Sequence, residues 1–441
     1  MNLKNTISKI APWQATKNIS LLSSGKFIFY TTGFLYGIFA ARILGASGYG
    51  QLTVVMATVY LLSLPFDFKI ESTMVKLIGE RLKNNEELRV SSILKNSFLI
   101  QFVGLFLFGV IFLGFLFLFS EKYTLFRDWS TALGLFGLSE LIHRPRKTLI
   151  TALTGFQKYT AYTISAVFTN VSRDIFPVIF MFTHGITGAC FGYLLAELIN
   201  ILFISAFYLR IWGQTIIKNI LIGPRNLKKT LTKLFYNTRS NYLASMCKRS
   251  LAEILNLILG GYIGTRELGF YRVGLRFKPI FSFLIGPITT YLYPRFIEKW
   301  QKESKAEFFY TMRKYFYLTA VSGLLLCLMI SVVTPWLLPF LYGQDFLPAI
   351  PIVWILLPAI LVAKIFSIFE NIAFVVSEQR SILNAAFLEL ITGILLAVLL
   401  VYYFGFHGAA WAYAGKIYIT SIYKAGFFYK KFGKKWLFPN F

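Results

Sequence analysis

Ionisable side chains inside long apolar runs are the residues of this sequence that could do chemistry. Apolar residues make up 56% of the 441 residues and charged residues only 15%. A charge in the middle of a bilayer costs about 2.5–3.5 kcal/mol on insertion scales, so each one predicts a partner or a function. The cationic candidates for contacts with an anion are Lys26, Arg144, Arg146, Arg173, Lys248, Arg249, Arg272, Arg276, Lys364 and Lys416. The acidic candidates for ion coupling are Asp67, Glu197, Glu253 and Glu370.

Some of these candidates have a competing explanation. Lys26 lies under two turns from the end of an apolar run, so its side chain can extend to the membrane surface. Arg249 and Glu253 are four residues apart and can pair with each other on one helix. Asp67 and Glu71 share a predicted helical face, where like charges repel unless a cation lies between them.

Other candidates indicate anion binding more strongly. Arg272 and Arg276 are one helical turn apart, and two guanidinium forks suit a diphosphate because arginine binds phosphate through two parallel hydrogen bonds. Contact with lipid headgroups is the alternative for this pair. Lys364 and Lys416 lie near the middle of apolar runs, so we expect them to face a cavity, as we do for Arg173.

Other kinds of chemistry have little support in the sequence. The three cysteines and three histidines are widely spaced, so we predict neither a metal site nor a cofactor. There is no G-x-x-x-x-G-K-[ST] motif for nucleotide hydrolysis. The net charge of +26 is explained mainly by cationic loops beside anionic lipids, so we do not expect nucleic acid as a partner.

The apolar runs predict the elements that must position these charges. One run, "FLIQFVGLFLFGVIFLGFLFLF" (98–119), is long enough to span a hydrocarbon core. Continuous runs of this kind form helices, because the backbone in lipid must satisfy its own hydrogen bonds. The sequence thus predicts an all-α polytopic membrane protein. The twelve predicted spans are about 20–42, 50–75, 96–119, 129–153, 160–182, 186–209, 234–262, 268–293, 312–334, 348–376, 382–404 and 408–429.

The distribution of lysine and arginine predicts the orientation. With a cytoplasmic N-terminus, the loops on that side carry most of the Lys and Arg residues. The opposite connections carry only Arg42, Lys122, Arg127 and Arg266. This asymmetry predicts that both termini are cytoplasmic.

Two glycine-containing turns recur at an offset of about 220 residues. "HGITGACFGYLLAE" (184–197) is echoed by "FGFHGAAWAYAGKI" (404–417), and "ILGASGYGQLTV" (43–54) by "YIGTRELGFYRV" (262–273). Two clusters at one offset indicate internal duplication. We therefore predict two six-helix lobes of equal orientation, related by a pseudo-two-fold axis along the membrane normal. The predicted segments are an interfacial segment 1–19, a lobe 20–212, a basic cytoplasmic linker 213–232, a lobe 233–430 and a cytoplasmic tail 431–441.

The turn sequences carry a family resemblance. "ARILGASGYGQLTVVMATVYLLSLPFDF" (41–68) resembles the N-terminal signature of the Wzx-type polysaccharide flippases, in the multidrug/oligosaccharidyl-lipid/polysaccharide (MOP) superfamily. "LYGQDFLPAIPIVWILLPA" (341–359) and "FGFHGAAWAYAGK" (404–416) are similar to later motifs of that family. Asp67 falls at the acidic position of the signature, but Lys69 stands where the family often has glycine.

The resemblance implies a MATE-like fold and a transport function. Members move an undecaprenyl-diphosphate-linked oligosaccharide, for O-antigen, lipopolysaccharide or capsule, from the cytoplasmic to the outer leaflet of the bacterial inner membrane by alternating access. A polymerase and a chain-length regulator are implied partners beside membrane lipids. Proton, sodium or membrane-potential coupling remains open.

Three other functions are alternatives for this sequence. One is a cation-coupled drug or metabolite antiporter of the same superfamily, whose cavity should favour carboxylates. Another is a lipid II flippase, which usually has two further helices. A membrane glycosyltransferase, polymerase or ligase would need a sizeable outer loop, so we do not expect an enzyme.

Overall fold

Helices form almost all of the described chain. The computed structural model describes residues 3–83, 87–122, 129–222, 227–301, 305–376 and 378–433. Parts of the predicted linker and tail, at 223–226 and 434–441, lie outside the described residues, as do the side chains of 1–20 and 211–241. The helices are α1 Leu3–Ser63, α2 Glu71–Lys83, α3 Glu87–Lys122, α4 Ser130–Gly155, α5 Tyr159–Ile222, α6 Leu227–Tyr262, α7 Thr265–Leu275, α8 Lys278–Gln301, α9 Lys305–Tyr342, α10 Ile350–Ile365, α11 Phe369–Val375 and α12 Gln379–Phe432.

Six helical stretches of the described chain are long and apolar enough to cross a membrane. They are Ser23–Phe66, Val90–Leu118, Tyr159–Arg210, Lys305–Tyr342, Gln344–Val375 and Arg380–Phe432. Three of them have 44, 52 and 53 residues, and a helix needs only about 20 residues to span the hydrocarbon core. Each of these three contains a glycine with positive φ, at Gly45, Gly185 or Gly405. Each therefore provides two of the predicted spans.

The repeated turns have matching backbone geometry. Gly185 and Gly405 have φ values of 53° and 56°, a region that glycine enters without a Cβ clash. Three residues further on, a Cβ at Gly188 would overlap the carbonyl oxygen of Phe180, and a Cβ at Gly408 would overlap that of Leu400. The same small residues thus allow the same close approach in both halves of the sequence, as internal duplication predicts.

Three predicted spans are interrupted by breaks. The predicted second span, 50–75, is wrong as a continuous helix: α1 ends at Ser63, and a 3₁₀ turn at Leu64–Phe66 contains Pro65. Proline cannot donate the next helical hydrogen bond and disfavours helix at the preceding residue. The predicted eighth span is divided between α7 and α8 at residues 276–277, and the tenth between α10 and α11 by a 3₁₀ turn at Phe366–Ile368.

The chain divides into two compact units. The N-terminal unit comprises Met1–Tyr36 and Leu62–Arg239, and the C-terminal unit comprises Gly37–Leu61 and Ser240–Phe441. The segment from Gly37 to Leu61, which carries the first repeated turn, groups with the second half of the sequence. The predicted lobes at 20–212 and 233–430 remain a prediction.

The contacts of Gly37–Leu61 inside the C-terminal unit are reciprocal. A Cβ at Gly50 would overlap the carbonyl oxygen of Thr265, and a Cβ at Gly269 would overlap that of Ala46. Residues 46 and 50 correspond to 265 and 269 in the repeat. The Ser47 hydroxyl also lies 3.1 Å from that of Thr265. The two copies of the first turn therefore pack on each other through glycine-to-backbone contacts.

Candidate functional site

A buried charge cluster occupies the N-terminal unit, where α4 packs on α5. Glu197 is fully buried. Its Oε2 accepts a hydrogen bond from Arg146 Nε at 2.5 Å, and its Oε1 lies 3.2 Å from Arg173 Nε. Arg173 Nη2 lies 3.9 Å from Glu140 Oε1. The spacing of three between Glu140, His143 and Arg146 places all three on one face of α4.

His143 completes this cluster. Its Nδ1 lies 2.7 Å from Arg146 Nη2, 2.7 Å from Arg173 Nη1 and 3.0 Å from Glu197 Oε1. We call Glu140, His143, Arg146, Arg173 and Glu197 the arginine–glutamate cluster. Its two arginines and its two glutamates are equal in number.

A second group of charges surrounds the break after α1. Asp67 lies in the break and Glu71 begins α2, so they do not share one continuous helix as predicted. Lys147 Nζ lies 2.8 Å from Glu71 Oε1 and 4.0 Å from Asp67 Oδ1, while Lys69 Nζ lies 3.0 Å from Asp67 Oδ2. A cation therefore does lie between the two acids, which removes the expected repulsion.

Arg144 closes the end of α1. Its Nη2 donates a hydrogen bond to the carbonyl oxygen of Ser63 at 2.5 Å, and its guanidinium lies 5.2 Å from the centroid of the Phe108 ring. A helix end inside a membrane leaves carbonyl groups that need donors. The structure thus gives this predicted anion-binding residue a clear role in stabilising the break.

A cavity of about 420 Å³ surrounds Lys26 within the N-terminal unit. Its wall includes Phe29, Tyr159, Tyr162 and Asn170, so one ammonium, phenol hydroxyls, an amide and aromatic rings line one space. The Lys26 side chain is exposed. The position fits either of the two sequence-based interpretations, a binding contact or an extended side chain at the membrane surface.

The C-terminal unit holds a larger group of lysines. Lys416 is 5% exposed and its Nζ donates to Glu389 Oε1 at 3.0 Å. Lys248 forms an ion pair with Glu370. Lys424 lies 5.7 Å from the ring centroid of Phe369 and within electrostatic reach of both glutamates.

Two further lysines of this unit have no ion pair with a described carboxylate. Lys364 Nζ donates to the Ser282 hydroxyl at 2.6 Å, and Lys278 and Lys364 are close enough to repel each other. We call Lys248, Lys278, Lys364, Lys416 and Lys424, with Glu370 and Glu389, the lysine cluster. Five lysines and two glutamates belong to this cluster among the described residues, which gives a formal net charge of +3.

The predicted clamp of Arg272 and Arg276 has two different sets of partners. Arg276 Nε and Nη2 donate to the Tyr49 hydroxyl at 2.9 and 2.8 Å. Gly37 makes room for this arginine, because a Cβ there would lie 2.5 Å from Nε. Arg272 interacts electrostatically with Glu253.

The predicted pair of Arg249 and Glu253 is one part of a wider set of contacts. Glu253 Oε2 accepts a hydrogen bond from Asn256 Nδ2 at 3.0 Å, and both Arg249 and Arg272 act on it electrostatically. Among the described residues no group of three His, Cys, Asp or Glu side chains could hold a metal ion.

Sequence reasoning did not select Lys278, Lys424, His143 or Lys147 as site residues. Lys278 and Lys424 were detectable as charges within or beside apolar runs. Their grouping was not, because the partners come from helices far apart in the sequence, such as Ser282 and Lys364.

The profile of a family described as "Polysaccharide biosynthesis protein" matches residues 15–300, almost two thirds of the chain. The chain belongs to this family. The match confirms the predicted resemblance to proteins of polysaccharide synthesis. No curated protein matches the sequence significantly.

Comparison with solved structures shows the fold of the chain. It is similar to a multidrug resistance MATE family transporter of the MOP superfamily in an inward-facing conformation, with a TM-score of 0.77, 14% identity, and coverage of 94% of this chain and 97% of that chain. It is also similar to the lipid II flippase MurJ, with a TM-score of 0.69, 15% identity, and coverage of 92% of this chain and 87% of that chain. A MATE family transporter in an outward-facing conformation has a TM-score of 0.64 and 14% identity, with coverage of 95% of this chain and 96% of that chain. These matches confirm the predicted all-α, MATE-like membrane fold.

Proposed function

We propose that this protein moves a polyprenyl-diphosphate-linked oligosaccharide from the cytoplasmic to the outer leaflet of a bacterial cytoplasmic membrane. The family and the fold support a flippase or transporter in polysaccharide biosynthesis rather than an enzyme. The observation that carries the substrate class is the net charge of +3 in the lysine cluster. An unpaired ammonium in a membrane is unfavourable, so this excess favours an anionic substrate.

The same observation weighs against the antiporter alternative. A site for a cationic drug needs carboxylates that outnumber the resident cations, because a buried charge requires a partner of opposite sign. The lysine cluster has the reverse balance. A lipid diphosphate supplies the negative charge that this balance lacks. Lipid II is also a lipid diphosphate, so charge alone does not separate the two flippase functions.

The sugars and the lipid chain of the substrate need contacts of another kind. Aromatic rings suit sugars, and aromatic residues make up 18% of this chain. We expect the polyprenyl chain to stay in lipid. A polymerase and a chain-length regulator are the expected protein partners, since the product must be assembled after it crosses.

Membrane potential is the driving force that the charges favour. A negative interior pushes an anion outward by about 2.3 kcal/mol per charge for each 100 mV. Three candidate coupling acids, Asp67, Glu197 and Glu370, have a lysine or arginine as an ion-pair partner. Glu253 accepts its hydrogen bond from neutral Asn256, so it is the acid to test first for proton or sodium coupling.

Deletion of the gene followed by analysis of lipid-linked glycans tests the proposal. We expect an oligosaccharide on polyprenyl diphosphate to accumulate in the cytoplasmic leaflet, and a plasmid copy to restore export. Accumulation of lipid II instead would assign the protein to peptidoglycan. Loss of resistance to cationic drugs with normal lipid-linked glycans would overturn the flippase function.

A further inference from the structure

Two helix breaks of the C-terminal unit bring a pair of lysines together. Helix α10 ends at Ile365, and the 3₁₀ turn Phe366–Ile368 separates it from α11. Lys364 lies in the last turn of α10, and Lys278 is the first residue of α8 after the break that follows α7. Interrupted helices inside a membrane persist where the free backbone groups are satisfied, and they mark binding sites in transporters.

Hydroxyl groups fix the position of Lys364. Its carbonyl oxygen accepts hydrogen bonds from the Tyr315 hydroxyl at 3.2 Å and from the Ser367 hydroxyl at 2.8 Å. The Tyr315 side chain is fully buried. The backbone N–H of Phe366 also donates to this carbonyl oxygen at the C-cap of α10, so three donors meet at the end of the helix. Side-chain hydrogen bonds therefore stabilise the end of α10 at Lys364.

Ser282 links the two lysines. Its hydroxyl accepts a hydrogen bond from Lys364 Nζ at 2.6 Å and lies 3.2 Å from the carbonyl oxygen of Lys278, one turn earlier on α8. The ammonium group of Lys364 thus lies against the first turn of α8. The start of a helix carries positive partial charge, which adds to that of the two lysines and favours an anion there.

The positive charges of Lys278 and Lys364 are not balanced by carboxylates of their own. Neither Lys278 nor Lys364 forms an ion pair with a carboxylate in the described part of the chain. Glu389 acts electrostatically on Lys278, but its carboxylate already accepts a hydrogen bond from Lys416. Lys278 is exposed at the surface of the unit and Lys364 is half-buried.

We propose that Lys278 and Lys364 form a two-point site for the diphosphate of a phosphorylated lipid, with one ammonium group for each phosphate and the Ser282 hydroxyl beside them. The assignment to the transported lipid rests on the proposed function. The same chemistry could be met by the phosphate of a membrane phospholipid, so the test compares the two sources.

Binding to the purified full-length protein in detergent is the direct test. The probes are undecaprenyl diphosphate, undecaprenyl monophosphate and phosphatidylglycerol. We expect the diphosphate to bind more tightly than the other two. Lys278→Ala and Lys364→Ala should each weaken diphosphate binding about ten- to a hundredfold, the range expected for loss of a charge-assisted hydrogen bond. Lys278→Arg and Lys364→Arg should retain most of the affinity.

Lys299→Ala is the matched control. Lys299 lies in the last turn of α8, the helix that begins at Lys278, and its Nζ lies 3.1 Å from Glu307 Oε2. The variant therefore loses one positive charge away from the proposed site and should bind the diphosphate as the wild type does. Equal diphosphate affinity in the wild type and in the Lys278→Ala, Lys364→Ala double variant would overturn the site. Equal affinity for phosphatidylglycerol and the diphosphate would overturn its assignment to the transported lipid.

A flipping assay in proteoliposomes separates failure of the site from failure of the function. If the wild type and the double variant move the glycan lipid at the same rate, the site is wrong and the function stands. If the wild type binds the diphosphate through these lysines but moves no glycan lipid, the site stands and the function is wrong. The arginine variants keep both readouts interpretable if an alanine variant fails to fold.

Discussion

The two units differ in how their clustered charges are balanced. In the N-terminal unit, the arginine–glutamate cluster matches two arginines with two glutamates around His143. In the C-terminal unit, the lysine cluster has five ammonium groups and two carboxylates among the described residues. The balanced cluster is complete without a ligand, whereas the unbalanced cluster lacks an anion. The difference is consistent with a structural role for the first cluster and with the proposed binding of an anionic substrate by the second.

The largest effect is expected in the N-terminal unit. Glu197→Gln leaves Arg146 and Arg173 without their shared carboxylate, and breaking a buried ion pair on one side costs about 3–5 kcal/mol. Thermal unfolding in detergent should show a strongly lowered midpoint. Glu370→Gln is the control, because that side chain is 45% exposed and water can replace its contact with Lys248. Similar losses in the two variants would break the comparison.

Replacing two lysines of the C-terminal unit by alanine should change the stability of the protein in different directions. Lys416→Ala leaves Glu389 without its hydrogen-bonded partner and should cost about 3 kcal/mol, the low end for a buried pair, because Lys248 and Lys424 partly compensate. Lys364→Ala leaves no carboxylate alone and removes a repulsion. It should therefore unfold at the same or a higher temperature while transport falls. A destabilised Lys364→Ala variant would show that Lys364 is structural.

The grouping of Gly37–Leu61 with the C-terminal unit can be tested at Gly50. Gly50→Ala places a methyl group on the carbonyl oxygen of Thr265, and overpacking of this kind costs about 1–3 kcal/mol. Cross-linking of Ser47→Cys with Thr265→Cys should be efficient in the wild-type background and reduced by Gly50→Ala. The three native cysteines are buried, which keeps the background low. Gly109→Ala, with open space around position 109, should leave the yield unchanged.

The smallest effect is expected for an exposed ion pair. Lys431 Nζ donates to Glu378 Oε1 at 2.7 Å, and this hydrogen bond, with the charge of Lys431, lowers the pKa of Glu378. A lowered pKa in the folded state stabilises the protein above the unfolded-state pKa of about 4.3, and the contribution is lost as pH falls through the folded-state pKa. Glu378→Gln should therefore lower the unfolding temperature slightly at pH 7, with a difference that shrinks below about pH 4. A constant difference would exclude this pair as its cause.

The sequence by itself determined the membrane class, the helical content and the duplicated turns. These depend on local properties, namely the length of an apolar run and the need for glycine where φ is positive, as at Gly185 and Gly405. The sequence also identified most of the ionisable residues of the two clusters, because a charged residue inside an apolar run can be recognised without a structure. Pro65 was visible too, although the break that it causes was not predicted.

Only the tertiary structure decided which charges are satisfied. Arg146 and Glu197 are 51 residues apart, and Ser282 and Lys364 are 82 residues apart. Whether such side chains meet depends on the rotation of each helix about its axis and on which helices are neighbours. Apolar periodicity leaves both open when the helix is apolar on every side. A membrane helix exposes its core face and its lipid face to equally apolar surroundings. Only the folded packing therefore separated Arg173, which forms ion pairs with Glu140 and Glu197, from Lys364, whose ammonium group donates to the Ser282 hydroxyl.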